Sequence, residues 1–197
     1  ELAEIFTGNE ALIKKYAEKL SISFERVEYA KNNFIRVVKV MKAFILNDSV
    51  KSFLCLNNKL PQENKGLFDI KLLEEFADAI IKLYGIKGLK GKDLLYSINS
   101  EDYDAKRAEF IQRLSKGEKL FVISSYNTVG AGQNLQYKAP GNATIVAVND
   151  YDRGDMEKDF DCIYLEKPTN LLVNVDSKKG IEAEDLIRFV YQMEFLM

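Results

Sequence analysis

Lys119-Leu120-Phe121-Val122-Ile123-Ser124 is a short apolar run, entered through Lys116-Gly117-Glu118 and left through the polar, Gly-containing stretch from Ser125 to Asn134. Its length, its branched and aromatic residues and the turn chemistry at both ends read as a buried strand. Lys51 to Leu56, Asp93 to Ile98, Thr144 to Asn149 (ending at Asp150) and Cys162 to Leu165 read as strands too. Amphipathic helices separate them: Phe68 to Leu83, ended by Gly85 and Gly88, and Tyr103 to Leu114, ended by Gly117. Strands joined by crossovers of about a dozen or more residues form right-handed βαβ units, and hence a parallel sheet. The expected fold is α/β, a parallel sheet with helices on both faces.

Upstream of the first strand the chain reads as all-helical. Leu12, Ile13, Tyr16, Ala17 and Leu20 share one face of a helix from Asn9, which Ser21 to Ser23 should break. A longer helix is expected from Ser23, with Ser23 as its cap ahead of Glu25 and Arg26, to Leu46. Residues 1–48 are thus a helical lead-in and residues 49–197 the sheet domain. A last helix, Ala183 to Leu196, turns Leu186, Val190, Met193 and Leu196 inward.

Composition narrows the chemistry. The chain has 197 residues, 47% apolar and 29% charged, as an ordinary globular domain has. Its 28 Lys and Arg against 30 Asp and Glu leave a net charge of −2, which argues against a basic nucleic-acid tail. It has no His, so it cannot by itself build a Ser-His-Asp triad, a Cys-His pair or a His-based zinc site. Acid–base work would fall to Asp, Glu, Lys or Tyr with shifted pKa values. Cys55 and Cys162 sit singly in apolar runs, as free thiols of a reducing, cytoplasmic protein do. No apolar run approaches the roughly 18 residues of a membrane span, and no membrane partner is expected. The chain opens on Glu1 and reads as a segment of a longer protein.

Two charged features have bland explanations. Asp155, Glu157, Asp159 and Asp161 alternate as ligands of magnesium or calcium do, but Lys158 interrupts them and no glycine-containing calcium loop is present. They read as a solvated acidic loop, with no metal site. Lys82, Lys87, Lys90 and Lys92 around Tyr84, and Lys31, Arg36, Lys39 and Lys42 on the long helix, read as solvated polar faces rather than a nucleic-acid groove.

The richest loop is Ser125-Tyr126-Asn127-Thr128-Val129-Gly130-Ala131-Gly132-Gln133-Asn134-Leu135-Gln136. Gly130 and Gly132 permit positive φ and close backbone approach, as a phosphate requires; a plain tight turn would use them equally well. Ser125, Asn127, Thr128, Asn134 and Gln136 offer uncharged groups of the kind that touch phosphate and ribose. Tyr126 would either stack on a base, a contact of about 1–3 kcal/mol, or pack beneath the loop. The glycines stand too far from the strand for a dinucleotide fingerprint, and no Gly-Lys-Ser/Thr phosphate loop occurs.

This segment resembles motif V of the second RecA-like domain of superfamily 2 helicases and translocases, in its SWI/SNF-type form. That form has a buried strand (here Leu120 to Ser125), then Gly-x-Gly-x-Asn-Leu (Gly130 to Leu135), then an excursion to a strand ending in Asp (Thr144 to Asp150). Tyr103 to Ser115 followed by Lys116-Gly117-Glu118 looks like the family's preceding helix and spacer, with Arg107 and Phe110 where it often has Arg and a core aromatic. Lys51 to Leu56 would be the motif IV strand. The resemblance spans roughly residues 50–150.

It implies a RecA-like fold for residues 49–197 and a role in an ATP-dependent helicase or translocase acting on DNA or RNA. Gly130, Gly132 and Asn134 would face the nucleotide, and Ser125, Tyr126, Asn127, Thr128 and Gln136 the nucleic acid. ATP with Mg would be held mainly by the N-terminal RecA-like domain of the same parent chain, so the segment alone is not expected to hydrolyse it. The family's motif VI, a Gln with paired arginines, is not matched: Thr169 to Asn174 occupies that region, and only Arg153 and Arg188 lie beyond Arg113. The alternative is a degenerate, non-catalytic helicase-like binding or scaffold domain. A Rossmann-type cofactor enzyme comes third, disfavoured by the glycine spacing.

Overall fold

In chain order the elements are α1 (Leu2–Ile5), α2 (Glu10–Ser23), α3 (Glu28–Leu46), β1 (Ser52–Asn57), α4 (Ile70–Leu83), α5 (Gly91–Leu94), β2 (Leu95–Ser97), α6 (Tyr103–Ser115), β3 (Leu120–Ser125), β4 (Tyr137–Lys138), β5 (Glu157–Lys158) and β6 (Cys162–Leu165). This computed structural model describes residues 1–24, 27–58, 60, 68–99, 101, 103–126, 128–129, 135–141 and 157–166. The expected strand at Thr144 to Asn149, the expected helix at Ala183 to Leu196 and the residues Glu25 and Arg26 lie outside them.

The expected α/β architecture is present. β2, β3, β1 and β6 form a parallel sheet in that order, and β4 pairs with β5 in a small antiparallel ribbon. Alternation along the strands divides the interior in two. Phe53, Cys55, Leu95, Phe121 and Ile123 join a core with α1 to α4, whereas Leu54, Ile98, Leu120 and Val122 join a second core with Phe110 and Leu114 of α6. Both faces are therefore covered by helices, as a parallel sheet requires.

The lead-in helices share the first core rather than standing apart from it. Phe44 of α3 meets Phe53 at 5.5 Å and Phe121 at 5.7 Å between ring centroids. One layer further out, Phe76 of α4 touches Phe6, Tyr16 and Phe34 at 5.7, 4.3 and 5.5 Å, which ties α1, α2 and α3 to α4.

Most helix ends follow their side chains. Asn9 and Asp69 cap α2 and α4 by accepting from Leu12 N–H (3.1 Å) and Lys71 N–H (2.9 Å). Gly85 and Gly117, both at positive φ, end α4 and α6 in the same way: the next residue's N–H turns back to Ile81 and to Arg113. Lys119 Nζ donates to the carbonyls of Ile45 (3.2 Å) and Asn47 (2.7 Å), closing the end of α3.

Two expectations need correction. Ser21 to Ser23 do not break α2 but form its last turn, and α3 starts at Glu28 behind an N-cap, Val27, that makes no side-chain cap. Serine costs a helix only a few tenths of a kcal/mol, and burial of Leu20 and Phe24 holds this turn in place. The strand expected from Asp93 starts at Leu95, because Gly91 to Leu94 form a helical turn against α4.

That turn depends on Gly91. A Cβ there would lie 2.4 Å from the Glu74 carbonyl oxygen and 3.1 Å from Ala77 Cβ, while the Gly91 N–H donates to Asp78 at 2.6 Å. Gly91→Ala is expected to destabilise the fold by about 1–3 kcal/mol, read as a lower urea midpoint. An unchanged midpoint would show that α4 and α5 separate freely.

Candidate functional site

In open parallel sheets, ligands bind at the carboxyl ends of strands where the chain departs toward opposite faces. Here that point lies between β1 and β3. After β1 the next helix, α4, belongs to the first core, whereas after β3 the chain returns at Tyr137 in the second.

Ser125 is the last residue of β3 and pairs with Asn57, the last of β1. Its Oγ accepts from the Thr128 N–H (3.2 Å) and lies 3.0 Å from Thr128 Oγ1, while its carbonyl accepts from the N–H groups of Thr128 and Val129, both at 3.0 Å. The loop therefore opens on a single serine-capped turn. The Tyr126 N–H continues the ladder to the Asn57 carbonyl at 3.3 Å, and its hydroxyl donates to the Glu166 carbonyl at 2.5 Å. Of the two roles open to Tyr126, this is the packed one: the ring is anchored to the end of β6.

Glu166 is the charged centre of this edge. Its side chain is 2% exposed, and its N–H donates to Leu56 at 3.0 Å. Arg36 of α3 grips the carboxylate twice, Nη2 at 2.5 Å and Nε at 3.2 Å, and the Tyr164 hydroxyl donates at 2.6 Å. Burial alone would raise the Glu166 pKa, but hydrogen bonds from Arg36 and Tyr164 outweigh it and hold the carboxyl below its usual range. Burial first, then Glu166, pushes the Tyr164 phenol well up, so it stays protonated and donating. One turn before Arg36, Asn33 exchanges two amide hydrogen bonds with Asn57, at 3.3 and 3.2 Å. Strands β1, β3 and β6 and helix α3 are thus tied together by polar groups that satisfy one another.

The sequence-derived site divides. Ser125, Tyr126 and Thr128 cluster at the carboxyl edge. Gln136 precedes Tyr137, whose hydroxyl lies 2.9 Å from Ser52 Oγ at the opposite end of β1, so the structure does not bring Gln136 to the other three. Asn127, Gly130, Gly132 and Asn134 lie outside the described residues. Arg36 was expected only on a solvated face, and Glu166, Asn33 and Asn57 were not singled out. For Glu166 the one available signal is an acidic residue directly following an apolar strand.

The chain matches no protein-family model and no curated protein.

Among the described residues no cluster of three or more Cys, Asp or Glu side chains is placed to hold a metal ion. Asp161, one of the alternating carboxylates, accepts from the N–H groups of Lys51 (2.8 Å) and Ser52 (2.9 Å) and pairs with Lys158 at 2.5 Å. Burial pushes the Cys55 thiol up to about 12, which leaves it an unreactive core residue. A groove of about 790 Å³ runs between α2 and α4, and none of the strand-end residues lines it. Among the described residues no helix is long and apolar enough to cross a membrane.

Proposed function

We propose that this chain is the second RecA-like lobe of an ATP-dependent nucleic-acid helicase or translocase, coupling ATP hydrolysis on a partner lobe to the binding of DNA or RNA. The observation that carries the reading is the position of the Ser125 loop: it leaves the carboxyl end of an inner strand of a parallel sheet, at the crevice beside β1. Its sequence adds Gly-x-Gly-x-Asn-Leu and uncharged donors, which suit contacts that form and break with nucleotide state better than a row of lysines does. The residues described at this edge are hydroxyls, amides and one neutralised ion pair. They do not make a triphosphate cradle, and in the proposed assembly the phosphates of ATP and its Mg belong to the partner lobe. The cytoplasm, where Cys55 and Cys162 remain thiols, is the expected compartment.

The test is ATP hydrolysis by the intact parent protein at low salt, with and without single- and double-stranded oligonucleotides. Stimulation is expected, and Asn134→Ala is expected to lower it at least about tenfold, roughly the loss of one transition-state contact, with circular dichroism unchanged. Normal stimulated turnover in that variant would remove the loop from the mechanism.

One observation favours the scaffold alternative. Arg36, beside the carboxyl ends of β1 and β6, is committed to Glu166, and no paired arginines follow the strands within residues 167–197. An intact parent with no hydrolysis under any condition would leave the scaffold as the function.

A further inference from the structure

Tyr126, the first residue beyond β3, is held at two points, and both are main-chain carbonyls. Its N–H donates to Asn57 at 3.3 Å and its hydroxyl to Glu166 at 2.5 Å. Asn57 ends β1 and Glu166 directly follows β6, the strand paired with β1. The side chains of these same two residues are fixed by one helix. Asn33 of α3 exchanges amide hydrogen bonds with Asn57 at 3.3 and 3.2 Å. Arg36, one turn later, holds the Glu166 carboxylate at 2.5 and 3.2 Å. Asn33, Asn57 and Glu166 are buried, where the loss of one hydrogen-bonding partner is costly. The helix itself is a firm platform: Phe34, Val37, Val38 and Met41 are wholly buried in the first core.

We propose that Asn33 and Arg36 are positioning residues of the Ser125 loop, acting through Tyr126. The link from Tyr126 to the loop is one peptide plane. The Ser125 carbonyl, which accepts from the N–H groups of Thr128 and Val129 at 3.0 Å, belongs to the same planar group as the Tyr126 N–H. That peptide is trans, so directing its N–H to Asn57 directs its carbonyl the opposite way, into the turn. Asn33 therefore sets the turn through the Tyr126 N–H, and Arg36 sets it through the Tyr126 hydroxyl. The functional weight of this role rests on the loop being the ligand-facing segment proposed above.

Amide hydrogen exchange on the whole 197-residue chain, followed at Thr128 and Val129, is the test. Tyr126→Phe removes one hydroxyl and should speed both amides about tenfold, the scale of one lost hydrogen bond. Arg36→Met keeps the aliphatic stem without the donors and should do the same, whereas Arg36→Lys, which returns a charged donor, should recover part of the protection. A loss of global stability alone speeds the strand interiors and leaves locally opening amides unchanged. Arg36→Met should add little to Tyr126→Phe, because both cut one relay, whereas Asn33→Ala should add to it. Wild-type exchange in Tyr126→Phe or in Asn33→Ala, or full additivity of Arg36→Met with Tyr126→Phe, would overturn the role. Nucleic-acid-stimulated ATP hydrolysis by the intact parent carrying Tyr126→Phe judges the other reading separately. An unchanged rate beside accelerated exchange would leave the positioning role standing and count against the helicase function of the loop.

Discussion

Phe76→Ala is expected to lower the stability of the fold by about 3–5 kcal/mol, the usual cost of truncating a fully buried Phe. The ring is wholly buried and joins Phe6, Tyr16 and Phe34, which come from or flank three different helices. Its removal leaves a cavity that no single helix can collapse to fill. With typical domain stabilities of about 5–15 kcal/mol, that is about a fifth of the total or more. The check is a urea titration followed by circular dichroism and by tyrosine fluorescence. Tyr16 sits against Phe76 with its hydroxyl 2.9 Å from the Glu75 carbonyl, so loosening of α1 and α2 should appear in the fluorescence at the lowest urea. A midpoint equal to the wild type would mean that the lead-in helices contribute nothing to the sheet domain.

Arg36→Ala is the second large effect, with an expected cost of about 3 kcal/mol at neutral pH. That is the lower end of what losing one partner of a buried ion pair costs, because the Arg36 side chain is itself 43% exposed. The damage comes from Glu166, left as a buried carboxylate with only Tyr164 and Asn33 beside it. The pH dependence distinguishes this from a mere loss of packing. In the wild type the Glu166 pKa lies below its ordinary 4.5 when folded, so its contribution is complete above that pH and fades as pH falls further. Without Arg36 burial dominates, the folded pKa rises above the ordinary value, and the folded state takes up a proton that the unfolded chain does not. The variant therefore gains relative stability as pH falls from neutral toward 4.5, and its deficit narrows. Guanidinium titrations at the two ends of that range measure it; a constant deficit would assign the cost to the lost arginine stem.

The parallel sheet was legible because its strands are apolar runs bounded by Gly, Asn and Ser, and because two of the helix stops, Gly85 and Gly117, obey steric rules that neighbours do not override. The junction of α2 and α3 was not legible. Ser21 and Ser23 are only mildly unfavourable in a helix, so the decision passed to the burial of Leu20 and Phe24, which is a tertiary fact. The carboxyl-edge network was hidden for a related reason. Arg36 lies within a pattern of basic residues that look solvated, and its partner is far away in sequence. Tyr126 illustrates the limit of composition: an aromatic in a polar loop suits stacking or packing equally, and only the position of the Glu166 carbonyl distinguishes them.

Among the described strands, β1 comes first in sequence yet lies inside the sheet. β1 lies between β3 and β6, whose residues are synthesised long after it. A chain emerging from its amino end can close the aromatic cluster of α1 to α4 early, from contacts that are local in sequence. Phe53-Leu54-Cys55-Leu56 cannot be paired at that stage, and parallel pairing across long connections is slow to form. During synthesis this segment is therefore the one most open to association with other chains or to capture by chaperones. A nascent chain halted before Leu120 presents it with no strand on either side.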